Sequence, residues 1–226
     1  MNKLILLLFL LSSSQLFSQF ENYLRWEPSV LINFKNDTRW SYNLSIVNRD
    51  RFKTPLNSSE YEHHEMNLFA SYIIDRKKIV TGGIRFRHLD PFDDEPGFEN
   101  RISEQIAFIN KVGSNRVVHR LRSEQRFKNN NFDITIRYRP SFDVPLNGTT
   151  IDPDEFYFLV YNEIIWQIDN DAPSEFENRI TAGLGYYFSR TLKFQADIQY
   201  RISDIGLDKV TTGTFIFTKL YWTIRS

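Results

Sequence analysis

Apolar and polar residues alternate along most of this chain with the period of a β-strand. In 192–203, Leu192, Phe194, Ala196, Ile198, Tyr200 and Ile202 share one parity, and Lys193, Gln195, Asp197, Gln199, Arg201 and Ser203 the other. Successive side chains of a strand point to opposite faces, so this segment has one apolar and one polar face. Segment 179–188 repeats the pattern, with Ile180, Ala182, Leu184, Tyr186 and Phe188 against Arg179, Thr181, Gly183, Gly185 and Tyr187. Segment 40–49 sets Trp40, Tyr42, Leu44 and Ile46 against Ser41, Asn43, Ser45 and Arg49. Noisier alternation runs through 23–34, 60–74, 78–89, 98–112, 115–127, 131–142, 154–168 and 208–225. Eleven strand-like segments, with almost nothing of helical period, predict an all-β chain.

The connections come in two sizes. Residues 35–38, 75–78, 113–115 and 189–190 are tight turns, whereas 50–60, 90–98 and 169–175 are longer, polar, and acidic or proline-bearing. Short turns at one end and long loops at the other are the habit of outer-membrane barrels, with the short set facing the periplasm. Phe34, Trp40, Tyr72, Tyr186, Tyr187, Phe188, Tyr221 and Trp222 gather near the tight-turn end, as a membrane-interface girdle would. The predicted fold is a transmembrane antiparallel up-and-down β-barrel of ten to twelve strands. Single-chain bacterial barrels are normally even, so eleven segments point to ten or twelve: either one short strand is hidden, or the first segment enters the lumen.

Composition narrows the setting. Lys3 followed by the apolar run 4–11 and by Ser12, Ser13 and Ser14 reads as a secretory signal peptide, residues 1–18, leaving 19–226 as the barrel domain. That run is far shorter than the roughly 20 residues of a membrane-spanning helix, so membrane residence has to be by strands. Aromatics make up 15% of the chain while mean hydropathy is −0.42, as expected when one strand face is apolar and the other polar. The 28 basic residues balance 28 acidic ones, which removes the basic excess that nucleic-acid binding exploits. With no cysteine in the chain, disulfides, thiol catalysis and cysteine-ligated metals are excluded.

Parity then places the arginines. In "HRLRSEQRF" (119–127), Arg120, Arg122, Glu124 and Arg126 share one face; in "ITIRYR" (134–139), Arg137 and Arg139 oppose Ile134, Ile136 and Tyr138. An arginine facing lipid near the midplane costs roughly 2–4 kcal/mol, so several on one strand would exceed the stability of many domains. They must face inward. The same argument sends Arg25, Glu27, Arg49, Arg85, Arg87, Glu163, Arg179, Asp197 and Arg201 into the lumen. Two readings follow. The charges fill the lumen as an arginine–carboxylate plug that sets strand register, or the surplus of arginine holds or passes an anionic solute, or a lipid or sugar carboxylate or phosphate, along a narrow path.

"HRLRSEQRF", "IRYRPSF", "YNEIIWQI" and "ENRITAGLGYYFSRTLKFQADIQYR", in that order and spacing, resemble the bacterial family known as domain of unknown function 2490, common in Bacteroidota. The likeness runs from about residue 26 to residue 201. It implies an outer-membrane-type β-barrel, in contact with outer-membrane lipid, and implies no activity.

Other candidate chemistry is weaker. His63 and His64 are adjacent and so point to opposite faces, which prevents a strand pair from chelating one metal and reads as loop-end surface. Asp90, Asp93, Asp94 and Glu95 lack the regular spacing of a calcium loop and read as a solvated acidic loop. His119 and Ser123 share the outward parity but stand about 13 Å apart along the strand, too far for a nucleophile–base hydrogen bond within it. No cofactor motif is present. The rivals to a structural or small-pore barrel are a lipid-modifying barrel enzyme and a soluble exported lipocalin-like binder.

Overall fold

The computed structural model describes residues 21–52, 59–92, 96–128, 131–169, 173–207 and 209–225; segment 1–18 lies outside them. Eleven strands follow in chain order among the described residues: β1 Glu21–Lys35, β2 Trp40–Phe52, β3 Ser59–Asp75, β4 Lys78–Leu89, β5 Gly97–Val112, β6 Asn115–Lys128, β7 Asn131–Pro145, β8 Glu155–Asp169, β9 Glu175–Tyr187, β10 Leu192–Ile205 and β11 Thr211–Arg225. Each pairs antiparallel with the next, and β1 also pairs with β11 to close the barrel. All eleven alternating segments are strands, with ends within a few residues of those expected.

The count lies inside the expected range but is odd, where the parity rule pointed to ten or twelve. The first segment enters the wall, not the lumen. In an up-and-down meander an odd count leaves the first and last strands running the same way, so the closing pair is parallel. It registers without a break from Glu21↔Thr211 to Lys35↔Arg225. Parallel bonds are slanted and slightly weaker per residue; the uninterrupted length of this ladder offsets that.

The turns largely sort as expected. One end carries the connections 36–39, 76–77, 113–114 and 188–191, and Gly113 at φ 62 supplies the left-handed residue that lets β5 reverse in two positions. Two connections break the pattern. The nine-residue loop 146–154 lies at the tight-turn end, and β6 meets β7 at the other end through a close Lys128↔Asn131 pair.

The wall is apolar outside and polar inside, the reverse of a soluble protein. Ile46, Ile84, Ile102, Leu121, Ile164, Ile180 and Ile198 are exposed around its middle, while Ser45, Glu65, Arg101, Glu124, Thr181 and Asp197 on the inner parity are buried. Exposed aromatics bound this aliphatic band at both ends. Phe34, Trp40, Tyr42, Phe142, Phe156, Phe188 and Trp222 stand near the tight turns, and Trp26, Phe98, Phe127, Trp166 and Phe176 near the long loops. The sequence reading found only the first belt and included in it Tyr187 and Tyr221, which instead line an inner cavity. At mid-strand the outer face of β5 also carries Glu104, which accepts a 3.3 Å hydrogen bond from Gln125 Nε2.

Inward glycines make room for side chains that lie flat on the wall. A Cβ on Gly183 would stand 1.9 Å from Asp197 Oδ1, and one on Gly185 2.1 Å from Tyr157 Cζ. Tyr157 is thereby buried, with its hydroxyl donating to Gln195 Oε1 at 2.7 Å. Gly185→Ala is expected to push the ring off the wall and break that bond, destabilising the barrel by about 1–3 kcal/mol. A lower temperature of conversion from folded to unfolded gel band checks it; an unchanged temperature counts against the close packing.

Candidate functional site

Strand register brings arginine against arginine on the inner face. Arg25↔Arg51, Arg85↔Arg101, Arg101↔Arg126, Arg120↔Arg139, Arg122↔Arg137 and Arg201↔Arg179 are all direct cross-strand partners. Like charges placed opposite each other repel, so such a wall holds only if carboxylates lie one diagonal step away. They do. From β3 to β9 an unbroken ladder of ion pairs runs Arg85–Glu65 (3.3 Å), Glu65–Arg87 (2.7 Å), Arg87–Glu99 (3.2 Å), Glu99–Arg101 (2.6 Å) and Arg101–Glu124 (3.1 Å). It continues through Glu124–Arg137 (2.9 Å), Arg137–Glu163 (3.8 Å), Glu163–Arg179 (3.7 Å) and Arg179–Glu177 (2.7 Å).

Further arginines branch from the same carboxylates: Arg126 on Glu99 (3.0 Å), Arg122 on Glu124 (3.1 Å) and Arg120 on Glu163 (2.6 Å). Glu65, Glu99, Glu124 and Glu163 are all buried. A buried carboxylate is tolerated only when paired and hydrogen-bonded; here Glu65 serves two guanidinium groups, and Glu99, Glu124 and Glu163 serve three each. The ladder also fixes register, because a one-residue slip would turn a whole strand's charges outward. On the facing wall Arg49 pairs with Glu27, and Lys219 with Asp197 at 2.7 Å.

Two arginines stand outside this arrangement. Arg139 and Arg201 form no ion pair among the described residues. Arg139 lies over the Tyr161 ring at 4.7 Å, and Arg201 over Phe215 at 3.4 Å with its Nε donating to Gln199. Buried Nε atoms of Arg120, Arg126, Arg137 and Arg139 have no hydrogen-bond partner among the described residues. These groups surround a central cavity of about 440 Å³, lined by eleven arginines and Lys219 against Glu27, Glu65, Glu163 and Glu177. Its wall therefore carries surplus positive charge, even with Glu99 and Glu124 behind it.

The cavity continues towards the tight-turn end. A second space of about 420 Å³ shares Arg139, Tyr161 and Lys219 with it. A third, of about 550 Å³, shares Ile151, Tyr187, Lys193 and Tyr221 with the second and reaches the mouth beneath the 146–154 loop. Lys35, Arg190, Lys193 and Arg225 line that mouth together with Asp152. Towards the other mouth, Arg25 and Arg51 both pair with Glu62, at 2.6 and 2.7 Å, and Arg126 reaches Asp133 at 3.4 Å.

Of the residues named from sequence, Arg85, Arg87, Arg120, Arg122, Arg126, Arg137, Arg139, Glu163, Arg179 and Arg201 line the central cavity. Glu124 and Asp197 lie behind it, each about 1–2% exposed. Glu65, Glu99, Arg101 and Glu177 were missed. Their signal was the same parity, since Glu99, Arg101 and Ser103 alternate on β5 and Glu177 precedes Arg179 by two.

His63 is buried inside the barrel, not on a loop surface, because the β2–β3 strands extend past it. His64 faces outward and meets His88 edge-on at 5.1 Å. Asp93, Asp94 and Glu95 lie outside the described residues, among which no group of three or more acidic or histidine side chains is placed to hold a metal. His119 Nδ1 lies 2.8 Å from Tyr138 Oη on the outer wall, so its neighbour there is a phenol and not Ser123.

These features define an antiparallel β-barrel closed by one parallel pair, with a buried arginine–carboxylate network in its lumen. The chain belongs to the family described as "Protein of unknown function (DUF2490)", whose model matches residues 28–206, from within β1 to just beyond β10. No curated protein matches it.

Proposed function

We propose that this protein is an outer-membrane β-barrel whose lumen is braced by the ion-pair ladder and receives small anions through its tight-turn mouth. The observation that carries the reading is the surplus of arginine around the central cavity, above all Arg139, which has no carboxylate partner among the described residues. Guanidinium forks suit carboxylate and phosphate oxygens, and a confined, weakly hydrated site strengthens that attraction. The basic lining of the tight-turn mouth favours entry from that side. The apolar band between two aromatic belts supports a membrane setting, as does a closed sheet that leaves no edge unpaired in hydrocarbon.

Two measurements test the two halves. Isothermal titration of the detergent-purified barrel with sodium phosphate should give saturable binding that weakens as sodium chloride is added. A flat titration removes the anion reading. In cells, the protein should stay in the membrane pellet through a carbonate wash and give a heat-modifiable gel band; release by the wash, with no such band, removes the membrane reading.

A further inference from the structure

We infer that the ligand of this lumen is a small sugar acid, its anionic group held at Arg139 and its ring seated in a tyrosine-walled vestibule. The inference rests on the anion-receiving lumen proposed above and adds the chemical class of the anion. The vestibule is the cavity of about 420 Å³ between the mouth and the central arginines, within the size range that holds small-molecule ligands.

Two cations on this route are held by aromatic rings instead of carboxylates. Lys193 Nζ sits 3.9 Å over Tyr221, with Tyr157 and Tyr187 at 5.3 and 5.4 Å, and Arg139 lies 4.7 Å over Tyr161. Neither cation is in an ion pair among the described residues. Cation–π contact keeps the charge in place without cancelling it, so both remain available to an anion. By contrast Arg116, on the same wall, is neutralised by Asp143 at 2.9 Å.

The rest of the wall speaks to what the anion is attached to. Tyr161, Tyr187 and Tyr221 offer apolar ring surface with phenol hydroxyls, and Ser141 adds a further hydroxyl, while Tyr157 and Gln195 in the same wall are bonded to each other and Gln195 to Asp197. A bare inorganic anion would use the charges and leave this surface idle. A fatty acid would place its chain against phenols, lysine and amide. A sugar acid uses rings, hydroxyls and charge together: its C–H faces lie on aromatic rings, its hydroxyls meet the phenols of Tyr161, Tyr187 and Tyr221, and its carboxylate or phosphate reaches Arg139.

Isothermal titration of the full barrel in detergent, with glucuronate, acetate, glucose, benzoate and inorganic phosphate at fixed ionic strength, decides the matter. Glucuronate should bind at least ten-fold more tightly than any of the other four. Arg139→Gln should weaken glucuronate at least ten-fold, with Arg139→Lys restoring part of the loss. Tyr187→Ala, at the rim, should lower glucuronate to the level of acetate and leave acetate unchanged, while the heat-modifiable band shows that each variant is folded. If acetate or phosphate binds as tightly as glucuronate, the sugar-acid inference falls and the anion-receiving lumen stands. If benzoate or glucose matches glucuronate, the vestibule reads rings or hydroxyls alone and the inference also falls. Absence of binding by every anion overturns both.

Discussion

Glu124→Ala is expected to destabilise the barrel by about 3–5 kcal/mol, the range for removing one partner from a buried charge network. Glu124 is 1% exposed and holds Arg101 at 3.1 Å, Arg122 at 3.1 Å and Arg137 at 2.9 Å. Arg122 and Arg137 are direct cross-strand partners, so its loss leaves like charges facing each other at the middle link of the ladder. Arg116→Ala provides the contrast. Arg116 is about half exposed where it meets Asp143, and exposed pairs contribute about 0–1 kcal/mol. Urea unfolding in lipid vesicles should separate the two variants clearly; equal midpoints would show that the ladder does not hold the wall together.

Ile198→Arg should cost about 2–4 kcal/mol in a bilayer, the value for a cation on the lipid face near the midplane. Ile198 is 62% exposed and lies midway along β10, between the inward-facing Asp197 and Gln199. In water such an exposed isoleucine would gain or lose little on becoming arginine. The substitution therefore reports the solvent of the outer wall. Unfolding from vesicles measures it, and a variant as stable as the parent would sink the membrane reading of that face.

The strands were legible because a two-residue period survives almost any noise when the two faces meet such different surroundings. Even Arg137 and Arg139, among the aromatic and aliphatic residues of β7, are placed by parity alone. Parity states which face a residue occupies but not which residue lies beside it. The pairing of Arg120 with Glu163 passes over β7, 43 positions along the chain, and only register reveals it. For the same reason the isolation of Arg139 could not be read: its partner in register is Arg120, and a carboxylate one step away would have changed its role. The parity of β5 was equally informative about Glu99 and Arg101, but the outward Asn100 and Glu104 blur its alternation. The second aromatic belt was equally legible, since Phe98, Phe127 and Phe176 each stand one residue inside a strand end.

The parallel seam also sets where the chain can be cut and rejoined. Because β1 starts at one mouth and β11 finishes at the other, a peptide joining them would have to run the height of the wall, about 50 Å of extended backbone for a strand of this length. Circular permutation with a short linker is therefore closed to this barrel, although an even-stranded meander allows it. Fluorophores attached at Glu21 and Arg225 would sit at opposite mouths and measure the height of the assembled wall, while a pair on adjacent hairpin ends would stay close whether or not the seam had shut.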